Sequence, residues 1–418
     1  MIKKVLYACL FLMTIIASGQ TTISGGINQD TNWTLQNSPY ILTGDTVIFG
    51  SNTLTIEPGV VVKFDSNVQL RIQGSLIAVG NSTDIITFTS NESNPQPGSW
   101  REVNLEYNAT CILDYVQMEY ADTALRYNQI NTASSIKNAI FQFNNNAIKV
   151  NGGSVQFPIT MDTVTFKSND KGIANFYEEV TLTNCMFINN RIGAELTESN
   201  INSCTFEGNS EIGLTGNTST IQNNTFIFNN IGLQQSFSGG SEASSMTNNT
   251  IKNNSIGLKI TGNNPVATFS NNTVCNNTIY NVENTSTYSG QDVSNNCWCT
   301  NDLNEIENSI YHGLDNINVG VVTFTPTTTG CPDTTTLGLT VYGEIDSTVI
   351  YPNPVIDMLN FVNDSKKTYK IYSINGVLIK KGITTSSLNI SNLNSGLYFI
   401  TLKDVHQPNT TTLKFLKK

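Results

Sequence analysis

The chain has 418 residues, 13% of them charged, and a formal net charge of −10. The charge is uneven: residues 20–348 carry 11 basic and 29 acidic side chains, while 349–418 carry nine Lys against three Asp. An acidic body repels phosphate backbones, which excludes nucleic acid as a partner, and the charge step marks a domain boundary near residue 346.

Residues 1–19 read as a secretory signal. Lys3 and Lys4 form the charged end, Val5–Ile16 the apolar run and Ala17-Ser18-Gly19 the small-residue cleavage site. The run is too short for a membrane span, and no later stretch is long and apolar enough for one. Cys9 sits inside the run, which argues against a lipoprotein. The expected destination is the outer cell surface or the medium.

Residues 20–110 read as an N-terminal cap and first coils. Leu54/Ile56, Leu70/Ile72 and Ile86/Phe88 recur every 16 residues, which predicts a tight, regular start. The polar opening with Trp33 and Pro39 is placed to cover a sheet edge that would otherwise recruit other chains.

Residues 111–296 carry the dominant pattern. Anchors at Phe143, Phe166, Phe187, Phe206, Phe226, Ile251 and Val274 are each followed three residues later by Asn146, Asn169, Asn190, Asn209, Asn229, Asn254 and Asn277. Two residues before the anchors stand Phe141, Val164, Cys185, Cys204, Asn224, Asn249 and Asn272. A repeat near 20 residues signals a solenoid. Within Val180–Leu196, the pairs Val180/Leu182, Cys185/Phe187 and Ile192/Ala194 each keep the strand period of two, while parity slips between pairs. Three short strands and three corners make one coil. The fold expected is all-β: a right-handed parallel β-helix followed by a small Ig-like β-sandwich. Asn tolerates tight corners, and stacked coils about 4.8 Å apart let each amide bond the next. Gly172, Gly193, Gly213, Gly232 and Gly257 mark the approach to the third strand. Lys171 falls on a nominally inward position, which predicts a bulge at 169–172.

Residues 297–326 read as a lid. Trp298 takes the anchor slot, and a short helix-like stretch over Asn304–Gly313 precedes Val319–Phe324. Solenoids need such ends. A Thr-rich linker spans 327–346. Of the seven cysteines after the signal, Cys275 and Cys299 share an outward slot on adjacent coils, within disulfide reach, and Cys297 with Cys331 is a second pairing. Cys185 and Cys204 share an inward slot, as a buried thiol pair or a bridge; Cys111 is left over. Neither Cys297 nor Cys299 has a His at metal spacing, so no metal and no cofactor is expected.

Residues 347–418 form a separate unit. Alternating segments at Met358–Val362, Tyr369–Ser373, Val377–Lys380, Ser387–Ile390, Leu397–Leu402 and Thr411–Phe415 suggest a small sandwich. The run Tyr351-Pro352-Asn353-Pro354, the turn glycines Gly376 and Gly396, and the basic end with Lys414, Lys417 and Lys418 resemble the C-terminal sorting domain of the type IX secretion system of Bacteroidota. That resemblance implies the type IX machinery as a partner. The body, through TLTIEPGVVVKF (53–64), LIAVGNSTDIITFTS (76–90) and residues 295–326, is similar to exported parallel β-helix proteins of the same bacteria. Relatives of that kind commonly carry Trp and Gly where this chain has Cys297 and Cys299, a departure consistent with a local disulfide. The family mixes polysaccharide lyases, epimerases and proteins without known activity, so it implies a fold and no reaction.

Only two His are present, His312 in the lid and His406 in the tail, so His-based chemistry on the coils is excluded. The catalytic candidates are Glu178, Glu179, Glu195, Glu198, Glu207 and Glu211 with Lys167 and Arg191. Paired carboxylates can flank a glycosidic bond or hold Ca²⁺, and a neighbouring cation can act as a base. Solvated surface charge explains the same residues. The reading favoured is a non-enzymatic β-helix that binds extracellular polysaccharide or a surface protein; the alternative is a carbohydrate-active enzyme, a polysaccharide lyase or glycoside hydrolase.

Overall fold

The structure, a computed structural model, describes residues 19–128, 134–151, 159–175, 179–217, 219–236, 245–262, 268–328, 331, 350–351, 355–361, 366–373, 377–404 and 410–418. The chain divides into two compact units, Met1–Pro332 and Asp333–Lys418.

The first unit is a parallel β-solenoid with three strands to a coil. First strands stack into one 11-stranded parallel sheet; second and third strands share a 23-stranded sheet. In a representative coil the three are Val180–Thr183, Met186–Ile188 and Ile192–Thr197. They pair in parallel with Asn200–Asn202, Thr205–Glu207 and Ile212–Asn217 of the next coil. Inward side chains form one continuous core along the axis. Its spine is a column of rings: Phe166 to Phe187 and Phe187 to Phe206 are 4.6 Å apart, and Phe206 to Phe226 4.9 Å.

The ladder begins two residues earlier than the pattern suggested. Phe141, not Phe143, pairs with Phe166 and is fully buried. Phe143 sits at a corner with φ +56° and stacks outside on Tyr120. The first rung is accordingly Asn144. Asn146 lies in the third strand, half-buried, and bonds the Asp122 carbonyl. The other rungs are Asn169, Asn190, Asn209, Asn229, Asn254 and Asn277, each donating Nδ2–H to the next Oδ1 at 2.8–3.1 Å. Asn277 closes the column on Asn281.

A second ladder runs two residues before the anchors. Asn224 donates to Asn249, Asn249 to Asn272 and Asn272 to Asn296, at 3.0–3.1 Å. Cys204 and Cys185 occupy the same slot in earlier coils, and the Cys204 N–H donates to Asn224 Oδ1.

The glycines before the third strand follow from this crowding. A Cβ at Gly193 would strike the carbonyl of Gly213, and one at Gly213 would lie 2.6 Å from the carbonyl of Gly232. Just before them, Ile192, Ile212 and Ile231 form a small cluster apart from the main core. Lys171 belongs to that column: it pairs with Ile192. Its own strand runs in register from Lys171 to Asn175, so the expected bulge is absent.

The opening coils are no tighter than the rest. Leu54 stacks on Leu76 and Val62 on Phe88. The 16-residue recurrence therefore links strands on different faces of the solenoid: Leu54 and Leu70 are on the first and third strands of one coil, and Ile86 is on the second strand of the next. Trp33 is buried and stacks on Tyr40 at 4.9 Å.

At the other end, Leu303–Asn308 is a short α-helix with Asp302 as N-cap. The expected helix stretch to Gly313 stops early, because Ile310–Tyr311 joins the third-strand stack beside Val282 and Glu283. Buried His312 fixes the lid: its Nδ1 accepts from the Val322 N–H at 2.9 Å and its Nε2 lies 2.7 Å from Glu307.

The second unit holds a three-stranded and a four-stranded antiparallel sheet. Its core includes Val355, Phe361, Ile371, Ile400 and Phe415. The linker expected at 327–346 lies mostly outside the described residues.

Candidate functional site

The catalytic candidates are spread over separate strands and corners. Glu178 lies outside the described residues. Glu179 precedes a first strand and accepts from Asn200 Nδ2 at 3.2 Å. Glu195 projects from a third strand and pairs with Lys171 Nζ at 2.7 Å. Glu198 turns the following corner with φ +52°. Glu207 is on a second strand, in register with Ile188 and Ile227, and the Lys167 column is shared with it.

Arg191 bridges Asp170 at 2.6 Å and Glu211, stapling three successive coils on the surface. The hydrogen bond from Arg191 holds the Asp170 carboxyl below the usual carboxylate range, and both carboxylates push the guanidinium higher still. What the structure brings together among the described candidates is thus two ion-pair groups, Lys171 with Glu195 and Arg191 with Asp170 and Glu211. Among the described residues, no group of three or more His, Cys, Asp or Glu side chains could hold a metal ion.

The cysteines split into bridged and buried sets. Cys275 is bonded to Cys299 and Cys297 to Cys331, with Cα separations of 5.9 and 5.3 Å. Cys111, Cys185 and Cys204 are free and buried. Burial pushes the Cys111 thiol up to about 12, and a hydrogen bond with Cys185, together with burial, pushes Cys204 up. The same hydrogen bond lowers Cys185, so only Cys111 and Cys204 are held as the unreactive thiol form, while all three are closed off by burial.

Sequence reasoning centred on carboxylates passed over the outer face of the first-strand sheet. Five consecutive strands read VTLT (Val180–Thr183), NIN (Asn200–Asn202), TIQ (Thr220–Gln222), SMT (Ser245–Thr247) and TFS (Thr268–Ser270). Their central residues, Leu182, Ile201, Ile221, Met246 and Phe269, are buried. The residues on either side of each point outward and are half-buried or exposed. Every one of those outward slots holds a hydroxyl or an amide. The five strands stack without a register shift. Charge begins at the preceding coil with Asp162. At the far N-terminal end of the same sheet, Asp30, Thr31, Asn32, Thr53 and Thr55 line a depression of about 390 Å³. The signal for this face was in the sequence, as polar–apolar–polar triplets one coil apart.

In the tail, Gly396 opens the long strand Gly396–Asp404, which pairs with Thr410–Lys417. Lys414 and Lys418 are exposed and Lys417 is buried. Pro352, Asn353, Pro354, Gly376 and the Tyr351 side chain lie outside what the structure describes.

Residues 349–418 match the family described as secretion system C-terminal sorting domain. Among curated proteins nothing matches the chain. One solved structure, of a mutant of the periplasmic alginate epimerase AlgG, is similar over 72% of this chain and 82% of that one, at 11% identity and a TM-score of 0.38. By its own strand pairing the chain is a parallel β-solenoid, and the family match makes residues 349–418 a type IX sorting tail. Such a tail implies export to the cell surface or into the medium through the type IX machinery. No helix among the described residues is long and apolar enough to cross a membrane.

Proposed function

We propose that the solenoid is a non-catalytic binding rod, which works outside the cell by laying its first-strand face on an uncharged, repeating partner. The observation that carries this is the unbroken hydroxyl and amide face over five coils of an otherwise acidic body. Charge complementarity argues for an uncharged partner, since an anionic polymer would meet the acidic rim first. Engagement of Glu195 by Lys171, Glu211 by Arg191 and Glu179 by Asn200 supports binding over hydrolysis, because a glycosidase needs two carboxyl groups free to act on one bond.

The test is incubation of the purified mature chain with uncharged and anionic polysaccharides and other insoluble solids, scored for retention and for cleavage. Retention on an uncharged solid without cleavage is expected. Cleavage of any substrate, or retention on anionic solids alone, overturns the reading.

A further inference from the structure

Three properties of the first-strand face narrow the partner beyond "uncharged". The first is periodicity. Neighbouring coils repeat about every 4.8 Å, and the two outward residues of a strand lie about 6.6 Å apart. The result is a two-column grid whose long direction is the solenoid axis. Unbroken register over Val180–Thr183, Asn200–Asn202, Thr220–Gln222, Ser245–Thr247 and Thr268–Ser270 keeps that grid regular.

The second property is chemistry. The outward groups are hydroxyls and amides, with no ring among them. Sugar-binding faces gain much of their affinity from aromatic platforms, which bury large area at low entropy cost. A hydroxyl bonded to a dissolved sugar exchanges one water bond for another and gains only about 1 kcal/mol. Asn is depleted in strands, so strand propensity does not account for Asn200 and Asn202. Among the described residues, the hydroxyls of Thr181, Thr183, Thr220, Ser245, Thr247 and Thr268 have no protein partner.

The third property is rigidity. The face is held from behind by the second Asn ladder, whose Nδ2 groups donate to the carbonyls of Ile201, Ile221, Met246 and Phe269. Asn200 is held by Glu179 at 3.2 Å, and Asn202 accepts from Asn223 at 2.8 Å. A preorganised grid gives little to a flexible chain in solution. It gives most on a solid whose own hydrogen-bonding groups repeat on the same scale, where individually weak contacts form together.

We infer that the partner is crystalline water: the face spanning Thr181 to Ser270 binds ice. Its hydroxyls and amides take lattice positions of surface water, and the Thr methyls fill the spaces between them. Charged groups would order water around themselves against the lattice; the outward slots of the five strands carry none, and Glu179 stands at the edge of the face, where it holds Asn200. The inference rests on the reading of this face as the binding surface and names what lies on it.

The experiment uses the full mature chain and three variants. Thr220→Tyr and Ser245→Arg place bulk on the face at outward strand positions. Thr225→Arg places the same bulk on the second-strand face, where the adjacent column already carries Glu207 and Lys252. Unfolding midpoints first establish that each variant is folded. Partition into a growing ice hemisphere and inhibition of ice recrystallisation are then read, with crystalline cellulose and chitin pull-downs in parallel. Enrichment in ice, lowered about tenfold or more by the two face variants and unchanged by Thr225→Arg, is expected; tenfold corresponds to ~1.4 kcal/mol. Exclusion of the native chain from ice overturns the inference, as does an equal loss in all three variants. Exclusion from ice with face-dependent retention on cellulose or chitin overturns ice as the partner and leaves the binding face standing. Retention nowhere overturns both.

Discussion

Asn190 Nδ2 donates to Asn209 Oδ1 at 3.1 Å, and the same oxygen accepts the Asn190 backbone N–H. The second Nδ2 proton goes to the Phe166 carbonyl one coil back. Each rung from Asn144 to Asn254 is buried and has its amide donors and acceptor satisfied, which is the condition under which a buried polar network stabilises instead of destabilising. Truncating one rung also leaves the donors of its neighbour without an acceptor. Asn190→Ala should therefore cost about 2–4 kcal/mol, read as a lowered denaturant midpoint. Asn146→Ala, off the ladder, should stay within about 0.5 kcal/mol.

Glycine is required where coils approach most closely. Gly193→Ala drives a methyl into the Gly213 carbonyl, and overpacking of this kind costs about 1–3 kcal/mol. Gly44→Ala meets nothing nearer than Ser24 Cβ at 3.5 Å and should be close to neutral. Thermal unfolding of the two variants checks the contrast.

The lid is pinned by Cys275–Cys299 and Cys297–Cys331. Peptide mapping without reductant should recover both bridges. Cys111, Cys185 and Cys204 are buried and should resist alkylation in the folded protein at pH 8 and react after unfolding, since the reagent must reach the sulfur as well as find it deprotonated. Replacing Cys275 and Cys299 by Ser should cost about 2–4 kcal/mol.

Asp170 has a depressed folded-state pKa because Arg191 hydrogen-bonds its charged form. Its contribution is present above the ordinary carboxylate range and is lost as pH falls through the folded value. Both side chains are about half exposed, so the contribution is under about 1 kcal/mol. Asp170→Asn should lower stability slightly at pH 7 and progressively less as the pH falls below the ordinary carboxylate range, in paired urea titrations.

Deleting residues 349–418 should leave the solenoid inside the outer membrane, read by fractionation of the producing cells. Normal release of the truncated chain contradicts the role of the tail.

The solenoid was legible in the sequence because every coil repeats the same demand: an inward ring, a corner amide three residues on, a glycine where backbones crowd. The first rung was not, because the run FQFNNN (141–146) satisfies the spacing in two registers. The deciding mark is Ala147, buried in the slot that Gly172 and Gly193 fill later. Small residues there are dictated by the neighbouring coil, a contact local spacing does not encode. The candidate face was obscured for a different reason. Thr, Ser and Asn also mark turns, so their outward alignment shows only once coil register is known. The carboxylates drew notice by residue type, and stacking then dispersed them.

The most direct test of the ladder is a double-mutant cycle on Asn190 and Asn209, built from Asn190→Ala, Asn209→Ala and the double variant. Rungs of one continuous column should couple by about 0.5–3 kcal/mol, so that the double variant loses measurably less than the two single losses together. Strict additivity of the three unfolding free energies contradicts a shared ladder and, with it, the account of how this rod is held.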